Sequence, residues 1–163
     1  MADEDYDIII ATAAASAAGA APLITVSVVS DAPVVAGIWT GMIYKICRQA
    51  GHKIERETAS RLAVAVAASA GTYWAGSKVL GVILSKIPFT MGPAIGANAV
   101  LNALFTLRLG NALIDLMEKA DFDLTDWGYL VEFIGKAMRP RPSVEEVQRV
   151  ARLLRRLRGN LAS

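Results

Sequence analysis

The stretch "ERETASRLAVAVAASAGTYWAGSK", Glu55–Lys78, decides the fold. Its last eight residues, "GTYWAGSK" (Gly71–Lys78), come close to the phosphate loop G-x-x-x-x-G-K-[ST] of nucleotide hydrolases. Read that way, "LAVAV" before it becomes a strand and the chain becomes α/β. A phosphate loop has to leave a strand and open a helix, because loop amides and the helix N-terminus together cradle the anion. The residues before Gly71 are alanine-rich instead and favour a helix. The final pair is also transposed: Ser77 precedes Lys78. The ammonium then misses the position that reaches the phosphates, and the hydroxyl meant for magnesium comes too early. No later apolar strand ends in an aspartate that would serve the metal. The small residues have a better explanation in their spacing. Ala63, Ala67, Gly71 and Ala75 recur every four residues, which puts minimal side chains on one helix face and lets two backbones approach. Gly92 and Gly96, then Ala99 and Ala103, extend the theme. Glycine inside a helix costs about 1 kcal/mol relative to alanine, so packing is the reason to place several there. The stretch predicts an all-α protein and no bound nucleotide or other cofactor.

Working outward, Asp7–Ala21 reads as an alanine-rich helix interrupted by Pro22. "LITVSVVS" (Leu23–Ser30) is β-branched and suits a short extended piece. Asp31-Ala32-Pro33 opens a helix with a capping acid and a first-turn proline. That helix runs to about Ala50, with Gly51 as its stop. A long helical run follows from Glu55 to Ile87, about 50 Å if unbroken, and Pro88 ends it. Ile87–Gly96 is a Pro/Gly connector. A further helix spans roughly Ala94–Lys119, Asp121–Asp126 is an acidic linker, and Trp127–Met138 is a short amphipathic helix. Ser143-Val144-Glu145-Glu146 is a capping box opening a last helix to about Arg158. The expected architecture is a compact bundle of five or six helices: a hydrophobic domain over residues 1–120 and an amphipathic extension over residues 121–163.

The composition fits that picture. Counting Gly and leaving out Tyr, 97 of the 163 residues are apolar, 28 of them alanine. That is about 60%, against about 45–50% in ordinary soluble domains. Charge is unevenly placed. Residues 1–7 hold Asp3, Glu4, Asp5 and Asp7, residues 8–44 hold Asp31 alone, and residues 62–107 hold Lys78 and Lys86 alone. From Lys136 onward there are eight Lys/Arg against Glu145 and Glu146. The net charge of +2 hides an acidic head and a basic tail. Cys47 is the single cysteine, which fits a reducing compartment. The acidic N-terminus is the opposite of a secretory signal. With one Cys and one His, a zinc site would need mostly carboxylates. His52 reads as a solvated residue of a helix–helix turn, and no G-x-S-x-G element accompanies it. The chain is expected not to be an enzyme.

Several segments resemble a known family. They are "AAASAAGAAPL" (Ala13–Leu23), "SDAP" (Ser30–Pro33), "MIYKICRQAGHKI" (Met42–Ile54), "AGSKVLGVILSKIP" (Ala75–Pro88) and "GPAIGANAVLNALFTLRLGNALI" (Gly92–Ile114). Together they resemble the hydrophobic, alanine/glycine-rich helical domain of unknown function that is fused behind Era-like GTPase modules in bacteria. The resemblance covers about Ile8–Met117 and rests on small-residue spacing. It implies a helical module associated with GTPases and often with membranes, and it implies no catalytic residues. These 163 residues hold no GTPase module, so any coupling to a GTPase would be in trans.

Ile87–Leu107, "IPFTMGPAIGANAVLNALFTL", is 21 residues without a charge, about enough to span a bilayer. Residues 8–30 are 23 without one. Both carry Pro or Gly and are rich in Ala, Thr, Ser and Asn rather than Leu. A buried hairpin in a bundle, a membrane-inserted hairpin and an interfacial arrangement all stay open. Asn98 and Asn102, four apart, share a face suited to a partner helix. In the last helix Val147, Val150, Ala151, Leu154, Leu157 and Leu161 lie on one side. Arg149, Arg152, Arg155 and Arg156 lie on the other. That face suits solvent, an anionic membrane surface or a protein partner. Nucleic acid ranks lower, because no aromatic interleaves the arginines and no base-reading Asn/Gln set accompanies them. The expected partners are further copies of the chain in a homo-oligomer, an anionic membrane surface and a GTPase in trans. The expected place is the cytoplasm, at the inner face of the membrane.

Overall fold

A computed structural model describes residues 2–20, 32–75, 93–119, 122–140 and 142–161, with side chains for residues 5–19, 33–68, 99–119, 122–140 and 142–154. The described residues form an all-helical bundle: α1 (Ala2–Ala20), α2 (Ala32–Gln49), α3 (Arg56–Ala75), α4 (Pro93–Met117), α5 (Trp127–Met138) and α6 (Val144–Leu161). Gly71–Ala75 continue α3, so no strand precedes the glycine run and no loop breaks it there. Gly76–Lys78, the β-branched piece Leu23–Ser30, the helical run beyond Ala75, the connector before Pro93 and Gly92 lie outside the described residues.

Two boundaries differ from the sequence expectation. Helix α1 begins at Ala2 rather than Asp7 and takes in the acidic head. Carboxylates in a first turn face the positive end of the helix dipole and support the helix, so charge was a poor boundary marker there. Helix α6 runs to Leu161 rather than Arg158. Other ends follow the chemistry. Pro93 opens α4, where a missing N–H is harmless. Gly51 closes α2 at φ 83°, a conformation that side chains disfavour. The Gly51 N–H donates to the Arg48 carbonyl at 3.1 Å, and the His52 N–H to that of Cys47 at 2.9 Å. This pair is a Schellman stop, and it turns the chain back so that α3 packs along α2. His52 is not the solvated residue expected. It is half-buried, edge-on to the Phe122 ring at 4.8 Å between centroids.

Helix α4 is the hub, touching α1, α2, α5 and α6. It runs antiparallel to α1: the Asn102 amide of α4 donates to the Ala17 carbonyl of α1 at 3.3 Å, while Gly110 of α4 meets Ile10 of α1. The alanines of α1 make this approach close, with Ala14 and Ala17 fully buried. A Cβ built on Gly110 would lie 2.6 Å from Ile10 Cγ1. The α2–α4 contact carries the polar core. Buried Trp39 donates its indole N–H to the Thr106 hydroxyl at 2.9 Å, and that hydroxyl donates to the Asn102 carbonyl at 2.7 Å. The larger hydrophobic cluster joins Ile10, Trp39, Ile43, Ile46, Leu62, Leu109 and Leu113 with Leu130, Ile134 and Met138 of α5. A smaller cluster at the other end joins Ala14, Ala18, Val100, Ala103 and Leu104 with Val147 and Val150 of α6. Helix α5 thus contributes to the larger cluster and α6 to the smaller one. Phe105 and Leu107 pack against both clusters.

Candidate anionic-surface site on the last helix

Helix α6 starts where its sequence says it should. The Ser143 hydroxyl accepts from the Glu146 N–H at 3.1 Å, and the Glu146 carboxylate accepts from the Ser143 N–H at 3.0 Å. The capping box is closed, so two first-turn donors are satisfied. Glu146 does more than cap. Its carboxylate receives Arg108 of α4 through Nη2 at 2.9 and 3.0 Å and through Nε at 3.2 Å. Arg108 Nη1 donates to the Pro140 carbonyl at 2.6 Å. The Arg108 side chain is 13% exposed. One guanidinium thus ties α4 to the joint before α6 and to the first turn of α6. Burial pushes the Glu146 carboxyl upward. The Ser143 N–H, the Arg108 hydrogen bonds and the charges of Arg108 and Arg149 outweigh it and hold the group below its ordinary range.

The described part of the apolar face lies inward: Val147 and Val150 are buried, and Ala151 and Leu154 are half-buried, while the side chains of Leu157 and Leu161 lie outside the described residues. Arg149 and Arg152 are exposed on the other side. Neither has a hydrogen bond or salt bridge among the described residues. Arg155 and Arg156 belong to α6, but their side chains lie outside the described residues. Beside Arg149 and Arg152 runs a groove between α4 and α6, with a volume of about 410 Å³. Leu104, Leu107, Val150 and Leu153 line its depth, and Asn111, Arg149 and Arg152 its rim, with the Arg108–Glu146 pair alongside.

The small-residue positions divide differently. Ala63 is fully buried in the larger cluster, and Ala67 is half-buried against it. Gly71 and Ala75 lie in α3 and Gly96 in α4, but their surroundings lie outside the described residues. Ala103 is fully buried against α1 and α6, and Asn102 does meet a partner helix.

Sequence reasoning missed Arg108 and Gly110. The signal for Arg108 was present: it is the first charge after a 21-residue uncharged run, and a charge inside an apolar helix needs a partner. Gly110 stands seven residues after Ala103, two turns along the same face.

Other chemistry is dispersed. Among the described residues no three His, Cys, Asp or Glu side chains cluster as metal ligands. Cys47 is buried, and desolvation pushes its thiol up to about 12. Trp127, Tyr129 and Phe133 are half-buried against the core, with the Lys119 ammonium 4.0 Å from the Phe133 ring centroid. Within α4, Ala99–Met117 is long and apolar enough to cross a membrane by length and composition, and over half of it is buried inside the bundle. No family model, curated protein or solved structure matches this chain.

Proposed function

We propose that this chain is a non-catalytic helical-bundle protein that attaches to anionic membrane surfaces through the arginine face of α6 and assembles with further copies of itself there. The observation that carries the reading is the pair Arg149 and Arg152: both exposed, both without a hydrogen bond or salt bridge among the described residues, on a helix whose Val147 and Val150 are buried in the bundle. A helix that spends Val147 and Val150 on its own core binds elsewhere through charge. Each basic residue near an anionic leaflet contributes about 1 kcal/mol. Four arginines on one helix then give about 4 kcal/mol, which is weak for one copy. Several copies presenting the same face to one leaflet add through effective concentration. That is the physical case for joining assembly to membrane attachment.

The test is vesicle flotation at rising salt, with light scattering to follow assembly. The wild-type chain should float with anionic vesicles, ignore neutral ones, and detach as salt shortens the Debye length below about 10 Å. Replacing Arg149, Arg152, Arg155 and Arg156 by Gln should leave the helical fold and abolish flotation. A wild type that ignores anionic vesicles and binds duplex DNA at near-physiological salt, with loss in the Gln variant, replaces this reading with nucleic-acid binding.

A further inference from the structure

We infer that the groove between α4 and α6 holds one anionic phospholipid drawn from the membrane leaflet, with its phosphate on Arg149 and Arg152 and the adjoining acyl carbons against Leu104, Leu107, Val150 and Leu153. The inference rests on the membrane reading above and gives that surface a specific partner. Charge complementarity selects the occupant. Four charged residues line the groove: Arg108, Arg149 and Arg152 against Glu146. Arg108 and Glu146 are spent on one another through three hydrogen bonds. Three guanidiniums against one carboxylate leave the lining with a net positive charge. Arg149, whose charge also bears on Glu146, and Arg152 are exposed at the rim with no hydrogen bond among the described residues, three apart and therefore neighbours on one helix face. Two adjacent guanidinium forks match the oxygens of a phosphate.

Below the rim the chemistry changes. Leu104 and Val150 are buried at the base, and Leu107 and Leu153 are half-buried along the sides. The volume of about 410 Å³ falls in the range of small-molecule sites, about 300–1,000 Å³. A purely ionic ligand leaves the leucines wet, and a purely apolar one leaves the two cations unanswered. An amphiphile with a phosphate head meets both. The groove also runs along the arginine face itself, so a protein lying on a leaflet through that face brings the groove to the lipids.

The experiment uses the full chain and short-chain lipids kept below their micelle concentration. Dihexanoyl phosphatidic acid, dihexanoyl phosphatidylcholine and inorganic phosphate are titrated at one salt concentration, followed by the leucine and valine methyl resonances. Phosphatidic acid should bind at least tenfold more tightly than either of the others and should shift the methyls of Leu104 and Val150. Asn111→Trp places an indole over the groove from an exposed position on α4 and should weaken that binding at least tenfold. Leu153→Trp does the same from α6 and serves should the first variant melt early. Undiminished binding in the folded Trp variants, or inorganic phosphate binding as tightly as the lipid, overturns the inference. A wild type that floats with anionic vesicles and takes no monomeric lipid also overturns it, while leaving the surface reading standing. A wild type that fails to float sinks both.

Discussion

Replacing Gly110 by alanine should destabilise the protein, although alanine is the better helix former. In an unobstructed helix interior the change gains about 0.8–1 kcal/mol. Here the new methyl would sit 2.6 Å from Ile10 Cγ1, 2.7 Å from Cδ1 and 3.0 Å from Cγ2. Carbon atoms are comfortable at about 3.5–4.0 Å, so each contact is short by roughly 0.5–1 Å or more. Two of the three atoms hang directly on the branched Cβ of Ile10, where no rotamer removes both. Overpacking of this kind costs about 1–3 kcal/mol. The net change is therefore a loss of about 0–2 kcal/mol. Gly37, exposed in α2, is the internal control, because a Cβ there meets nothing within 4 Å. Gly37→Ala should gain the full propensity term. The gap between the two variants should be about 1–3 kcal/mol, or about 2–12 °C in Tm at about 2–4 °C per kcal/mol for a chain of this size. Urea and thermal unfolding of the two single variants, of Ile10→Ala and of Ile10→Ala with Gly110→Ala complete the cycle. Ile10→Ala alone should cost about 2–5 kcal/mol. In its background Gly110→Ala should become stabilising, giving a coupling of about 1–3 kcal/mol. If Gly110→Ala raises Tm as much as Gly37→Ala does, or if removing the Ile10 side chain leaves its effect unchanged, the close approach of α1 and α4 is wrong.

Thr106→Val should cost about 1–3 kcal/mol in urea unfolding, because it strands the buried indole N–H of Trp39 without an acceptor; an unchanged midpoint would mean that water reaches that donor. Glu146→Gln should cost about 1–3 kcal/mol at neutral pH by weakening the charged hydrogen bonds to Arg108. Because the folded carboxyl sits below its ordinary value of 4.5, the contribution of Glu146 is complete above that pH and fades as pH falls through the folded value. Wild type and variant should therefore converge in stability in acid, and a gap that stays constant down to pH 3 contradicts the assignment. Cys47, with its thiol pushed up to about 12 by burial, should react with a thiol reagent at pH 8 only as fast as the protein opens, and at the free-thiol rate in urea; rapid reaction of the native protein would place the residue at the surface.

What could be read from the sequence was what local chemistry decides. Ser143 and Glu146 declared their cap and Gly51 its stop, whereas Asp126, read as the end of an acidic linker, caps α5 through the Tyr129 N–H at 3.0 Å. The step from the alanine-rich run before Gly71 to an all-α fold rested on helix preference, and Arg56–Ala75 is one helix. The face of α6 was legible because a 3.6-residue period sorts valine from arginine without knowledge of neighbours. Illegible were the pairings that only tertiary structure makes. Arg108 finds Glu146 across 38 residues, and Trp39 finds Thr106 across 67. No local pattern specifies either. Gly110 lies outside the four-residue stripe that starts at Ala63, and its close contact is the one between α1 and α4. The groove depends on the angle at which α6 crosses α4, which Arg108 helps set and no periodicity encodes.

The antiparallel seating of α1 on α4 has a consequence for how the chain is made. The Ala17 carbonyl waits for an amide 85 residues further along. Ribosomes add about 5–20 residues per second, so α1 leaves synthesis about 4–17 s before its partner exists. Helices α2 and α3, joined by a short turn, can close on one another in that interval, and α2 also packs against α1, but Ala14, Ala17 and Ala18 on the side of α1 that meets α4 wait without their partner. A face of alanines rather than leucines is a mild hazard while it waits: it has little apolar bulk to offer a stray partner, and it becomes adhesive only to a surface as small-featured as α4. The same residues that allow close approach in the finished bundle thus keep the nascent helix quiet until the right partner emerges.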